Sequence, residues 1–256
     1  MRDLTIILRT CGRVQAQHGT RYVDKPKAEI IEVCVSSLVN SVNQVKDHKI
    51  KLFCLDDHSD DACVHNIKEI LAECLHSVEF IPLDVTGNGP SMARVYELVE
   101  KEATDLWYHV EDDYLHKPEA IQDMIDSIDQ FEDNTGQMVA INPHDDIWRY
   151  LHEIYESVIL LGPNRHYRTV KHTTYTCMAS RAIFDKYRSH FDDVVKLTNQ
   201  RADWVENKSI NLVWNKSDVM LFSPIPGLAF HIMDPSGKDP YLDFDALWNS
   251  VPELWK

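Results

Sequence analysis

The apolar run Leu106-Trp107-Tyr108-His109-Val110 leads directly into three acids, Glu111, Asp112 and Asp113. On a strand, residues two apart face the same way, so Glu111 and Asp113 share one face and Asp112 takes the other. Hard carboxylate oxygens suit Mg2+ or Mn2+, which commonly take one or two carboxylates and fill the shell with water and ligand phosphates. Glu111 and Asp113 are therefore candidates to hold a metal, leaving Asp112 for a sugar hydroxyl. Three other apolar runs end in comparable chemistry. Leu4–Leu8 leads to Arg9, Thr10, Cys11, Gly12 and Arg13. Ile50–Leu55 leads to Asp56-Asp57-His58-Ser59-Asp60, and Val78–Leu83 to Asp84 and a loop holding Gly87 and Gly89. Gathering so many like charges is costly unless a cation or a donor-rich ligand sits among them.

The elements that must position these residues follow from periodicity. Between the four runs lie stretches with helical spacing: Ile31, Cys34, Val35, Leu38, Val42 and Val45; then Val64, Ile67, Leu71, Cys74 and Leu75; then Met92, Val95, Tyr96 and Val99. A fourth stretch, Ile121 to Phe131, follows the acids. Strand–helix alternation predicts βαβ units on a mostly parallel, Rossmann-type α/β sheet with right-handed crossovers. Ligands of such sheets bind beyond the carboxyl ends of the strands, which brings all four acidic or basic turns to one edge.

Further strands are expected at Met138–Asn142, Ser157–Leu161, Thr173–Ala179, Val219–Phe222 and Leu228–Ile232. Helices are expected over Ile183–Leu197 and Arg201–Trp214. No Pro/Gly/Ser linker or internal repeat divides the chain. The expectation is a single domain over 1–256 with two functional halves, at about 1–115 and 116–233, and a loop and docked tail over 234–256.

Composition narrows the function. The 256 residues suffice to bury roughly 75% of the unfolded-chain surface, so no disulfide or metal staple is needed for stability. With 41 acidic against 26 basic side chains the net charge is -15, which repels duplex nucleic acid and anionic lipid. No nucleic-acid partner is expected. No apolar run reaches the ~20 residues of a membrane span, and the start reads as a strand rather than a signal peptide. The six cysteines form no CxxC pair and read as buried thiols of a reducing compartment, which points to the cytoplasm. A Walker-type kinase is excluded because no GxxxxGK[ST] is present.

The order of motifs resembles the GT-A glycosyltransferases, especially the inverting family 2 group. LRTCGR is similar to the turn after that family's first strand, with Cys11 where a tyrosine is common. Asp56 to Asp60 is similar to its DDGSxD motif, and Gly87 to Arg94 to its glycine loop and AR-bearing helix. Glu111-Asp112-Asp113 is similar to its DXD metal motif. The resemblance implies a metal-dependent (Mn2+ or Mg2+) inverting transfer from a nucleotide-diphosphate sugar, UDP- or GDP-linked, to a carbohydrate or glycoconjugate acceptor hydroxyl. It implies donor binding by Arg9, Thr10, Asp56, Asp57, Arg94 and Asp112. It also implies a late histidine metal ligand, His231, and a catalytic base in Asp203-Trp204-Val205-Glu206. Asp203 and Glu206, three apart, would share a helix face, and Asp203 lies nearer the helix start, where the dipole keeps a carboxylate ionised. Asp145 and Asp146 are next in line for the base. Two alternatives stay open: a nucleotidyltransferase of similar sheet architecture, and a nucleotide- or sugar-binding module without catalysis.

Overall fold

The computed structural model describes residues 1–13, 22–152, 155–202, 204–232 and 238–251. The alternating apolar runs become β1 (Asp3–Thr10), β2 (Lys49–Asp56), β3 (Ser77–Pro82) and β4 (Leu106–Glu111). They pair in parallel in the order β3-β2-β1-β4. Their crossovers are α1 (Lys27–Asn43), α2 (Asp61–Ala72) and α3 (Asn88–Glu102). After β4 come β5 (Tyr114–His116), α4 (Ala120–Thr135), β6 (Met138–Ile141) and the four-residue α5 (Trp148–Leu151). The chain continues through β7 (Ile159–Leu161), β8 (His166–Val170), β9 (Cys177–Ser180), α6 (Arg181–Lys186) and α7 (Arg188–Asn199). It closes with β10 (Val219–Ile225), β11 (Ala229–His231) and α8 (Phe244–Ser250).

Among the described residues the main sheet has nine strands, extended from β4 as β9-β6-β10-β8-β7. The strand β9 runs antiparallel to both neighbours, so the loop preceding it returns to the edge where β4 ends. This mixed sheet, parallel in its first half and flanked by helices, is the α/β fold expected.

Two apolar layers sandwich the sheet. One joins Leu4, Ile6 and Leu8 to Ile31, Val35 and Leu38 of α1 and to Ile121, Ile125 and Ile128 of α4. The other joins Ile7 and Trp107 to Met92, Val95 and Val99 of α3 and to Phe184 and Phe191 of α6 and α7. The opposite face of α1 (Ile30, Val33, Cys34) meets Leu115, Phe230 and the tail residues Phe244 and Leu247. Helix boundaries follow local chemistry. Asp60 caps α2 by accepting from Cys63 N at 2.8 Å, and Gly136 ends α4 at φ 64°, where a side chain would be strained. No helix among the described residues is long and apolar enough to cross a membrane.

Two expectations are corrected. The helix over Ile183–Leu197 is broken at Tyr187 into α6 and α7. The helix over Arg201–Trp214 is replaced by two 3-10 turns, Glu206–Lys208 and Ile210–Leu212. Arg201 (φ 51°) and Trp204 (φ 57°) adopt left-handed backbone, which a right-handed helix cannot contain. The apolar spacing of Ile210, Val213 and Trp214 mimics a helix because those residues pack under α7.

Candidate active site

Register sets the first contacts. Thr10 lies opposite Asp56 on β2, and Arg9 opposite Glu111 on β4. The Thr10 hydroxyl donates to Asp56 Oδ1 at 2.9 Å. Asp56, 3% exposed, also accepts from the Ser59 hydroxyl (2.6 Å) and Ser59 N (3.0 Å). Ser59 Oγ in turn accepts from Gly12 N at 2.7 Å. Asp56 is thus the frame on which the turns after β1 and β2 are built. Its neighbour Asp57 accepts from Gly87 N at 2.8 Å, fixing the start of α3, and pairs with His58 Nδ1 at 2.9 Å.

Each acid of the Glu111-Asp112-Asp113 turn has a basic partner of its own. Arg9 donates to Glu111 Oε1 at 2.5 Å and also reaches Ser91 Oγ (3.0 Å) and the Asn88 side chain. Asp112, nearly buried, accepts from Cys11 N at 2.7 Å and lies 3.3 Å from Lys27 Nζ at the start of α1. Burial pushes its carboxyl up to about 6, with Lys27 opposing and Asp113 adding to the rise. Asp113 Oδ2 lies 3.5 Å from His231 Nε2. Burial acts to raise Asp113, but the His231 imidazole and Lys27 outweigh it and hold the carboxyl below its ordinary range. The converse holds for His231: burial opposes the charged ring, and Asp113 lifts its pKa above the ordinary value.

The β5–β11 ladder delivers this histidine. Tyr114 and His231 are register partners, their rings stack at 4.7 Å and 14°, and Ile232 N donates to Asp113 O at 2.9 Å. The second oxygen of Asp113, Oδ1, is buried and without a hydrogen-bond partner. A partly buried carboxylate with one oxygen enclosed and unpaired, beside an imidazole nitrogen, suits a cation that takes few protein ligands. Among the described residues no three His, Cys, Asp or Glu side chains converge as a complete metal cluster. Glu111 is engaged by Arg9, so the fit rests on Asp113 and His231.

The remaining expected residues are placed as follows. Arg94 bonds Glu97 (2.7 Å) and Asp84 (3.1 Å) on the surface and stands outside the converging group. Glu206 lies at the hydroxyl of Tyr175, whose pKa is raised by burial and by the charges of Glu206 and Glu111. Asp203 lies outside the described residues. Asp145 is fully buried between Arg168 Nη2 (2.7 Å) and the Tyr150 hydroxyl (2.5 Å), which commits both oxygens to structure. Lys27, Thr174 and Thr176 were not legible in advance. Thr176 Oγ1 accepts from Glu111 N (3.3 Å), and Thr174 Oγ1 meets the Tyr114 hydroxyl (2.9 Å). No local spacing marks these residues, because their partners arrive from other strands.

Comparison with solved structures defines the class of fold. The crystal structure of S. aureus TarS has a TM-score of 0.53 at 11% identity, covering 86% of this chain and 35% of that one. S. aureus TarS 1-349 in complex with UDP-GlcNAc gives 0.52 at 12% identity, covering 86% and 55%. The chain thus spans between about a third and somewhat over half of the length of these structures. No curated protein sequence matches it. The profile of Glycosyl transferase family 2 matches residues 25–188. The chain belongs to that family, as the order of its motifs implied.

Proposed function

We propose that this chain transfers a sugar from a nucleotide-diphosphate donor, UDP- or GDP-linked, to an acceptor hydroxyl, with inversion and with help from Mn2+ or Mg2+. The observation that carries the reading is the enclosed, unpaired Oδ1 of Asp113 beside His231, at the sheet edge where Arg9 also lies. Asp113 and His231 would hold the cation, which supplies Lewis-acid neutralisation of the departing diphosphate. Arg9, already in the turn, adds a fixed positive charge for the same phosphates. Asp56 and Asp57 hold the loop that cradles the nucleoside, and Asp112 fixes the turn at Cys11. The acceptor oxygen forms its bond to the anomeric carbon as the bond from that carbon to the diphosphate oxygen breaks. The acceptor proton passes to a carboxylate on the acceptor side, Asp203, with Glu206 nearby.

On this reading residues 1–115 serve the donor and 116–233 the acceptor, a carbohydrate or glycoconjugate. Six unpaired cysteines favour a reducing compartment, in keeping with a cytoplasmic enzyme. The test is release of nucleoside diphosphate from a panel of UDP- and GDP-sugars, with and without Mn2+. Turnover of at least one donor is expected. Asp203→Asn should lower it by about 10²–10⁴ while calorimetry shows unchanged nucleotide affinity. A panel with no turnover, but with binding intact, would favour a non-catalytic binding module.

A further inference from the structure

Beyond the acidic turn, the helix α5 has a feature that core packing does not explain. None of its four residues is buried, yet the backbone around it is firmly held. Trp148 N donates to Asp146 Oδ1 at 2.8 Å. Arg149 bridges to His144 O (3.1 Å) and His172 O (3.3 Å). The Tyr150 hydroxyl bonds the buried Asp145, and the Arg168 guanidinium lies 3.9 Å from the Tyr150 ring. What this anchored turn presents to solvent is two aromatic rings and the aliphatic Leu151. Trp148 is 46% exposed and packs on His152 with centroids 4.2 Å apart. Tyr150 meets the exposed Tyr241 edge-on at 5.7 Å. Isolated exposed rings are ordinary, but two exposed ring pairs on one hydrogen-bonded turn are not.

The position is as informative as the composition. The helix follows the carboxyl end of β6. Arg149 ties it to the loop preceding β9, and that loop reaches the acidic turn through Thr174 and Thr176. His144, whose carbonyl Arg149 bonds, meets the His231 ring edge-on at 6.1 Å. The surface is therefore continuous with the candidate active site on its acceptor side. Flat aromatic faces bordered by Arg and Asp side chains suit a ligand with an apolar C–H face and a hydroxyl rim. A lipid chain would be poorly matched to that polar border.

We propose that the Trp148–His152 pair is the platform on which a sugar ring of the acceptor stacks, so that the acceptor is a glycoside. This deepens the transferase reading and rests on it for the word acceptor, whereas binding of a glycoside at Trp148 stands independently.

The chain has six tryptophans, so the indole N–H signal of Trp148 can be assigned in 15N-labelled protein as the one missing from Trp148→Phe. Methyl glycosides of glucose, galactose, mannose and N-acetylglucosamine are then titrated, with glycerol and a serine-containing peptide as controls. The expected result is a saturable shift of the Trp148 signal by at least one glycoside and by neither control. With that glycoside as acceptor, Trp148→Ala should raise KM by about tenfold and Trp148→Phe should recover most of the loss. Calorimetric affinity for UDP should stay at the wild-type value in both. A Trp148 signal that no glycoside moves, or that the peptide moves instead, would overturn the proposal, as would an unchanged KM in Trp148→Ala. If a glycoside binds at Trp148 but no nucleotide sugar is turned over, the transferase reading fails and the platform stands.

Discussion

At the scale of single residues, each carboxylate of the acidic turn lies against a different basic group. Glu111 has Arg9, Asp112 has Lys27 and Asp113 has His231. Removing one partner of a buried pair is more costly than the pair is stabilising, since the remaining charge is left desolvated. Lys27→Met should therefore lower stability by up to about 3 kcal/mol at pH 7.5, measured by urea unfolding. Because the Asp112 carboxyl sits at about 6, it is largely protonated at pH 5 and the penalty should shrink there. A penalty equal at both pH values would mean that Lys27 acts through packing. The acids themselves were readable from a strand running into Glu111-Asp112-Asp113. Lys27 was not, because the contact depends on where α1 begins relative to β4, and no spacing within either segment encodes that.

At the scale of elements, the second half of the chain is held by a few close approaches. A Cβ on Gly227 would come within 2.5 Å of Asp239 Oδ2 and 3.1 Å of Asp145 N. Asp239 accepts from Gly227 N at 2.6 Å and so ties the tail to the β10–β11 turn. Gly227→Ala should cost about 1–3 kcal/mol, read as a lower denaturant midpoint at unchanged slope. Arg168→Met leaves Asp145 buried without its cation and should cost about 3–5 kcal/mol. The βαβ units were legible because apolar runs of period two alternate with apolar faces of period 3.6. The strands β5 and β8 were not anticipated. His166–Val170 alternates with charged residues, and Tyr114–His116 is too short to carry a period. The span from Arg201 to Trp214 was misread as helix because periodicity reports burial and not backbone sign. Left-handed φ at Arg201 and Trp204 leaves no trace in an apolar pattern.

For the whole molecule, two fully enclosed histidines couple folding to pH. Burial lowers His109 to about 3, with Arg9 adding to the effect, and burial lowers His116 to about 4. Both rings are neutral in the folded protein at pH values where the unfolded chain has bound a proton. The unfolded state then binds more protons, so stability falls as pH drops from about 6.5 toward those values, by up to about 1.4 kcal/mol per pH unit for each ring. Asp112, Asp145, Asp239 and His231 work the other way, because their folded pKa values are raised and protonation favours the native state. The histidine contribution is isolated by substitution: between pH 7 and pH 5, stability should shift toward the folded state in His116→Gln relative to the wild type. Equal slopes in chemical unfolding would show that His116 does not contribute.

The central claim is that Asp113 and His231 form a cation-dependent seat for a nucleotide diphosphate at the carboxyl edge of the sheet. Isothermal calorimetry of UDP and GDP, in Mn2+ and in EDTA, on the wild type and Asp113→Ala, tests it most directly. One of the two nucleotides should bind the wild type at least about tenfold more tightly with Mn2+, since the diphosphate and the acidic turn repel each other without a bridging cation. Asp113→Ala should lose most of that difference. Equal wild-type affinities in Mn2+ and EDTA, or a metal dependence that survives Asp113→Ala, would contradict the account.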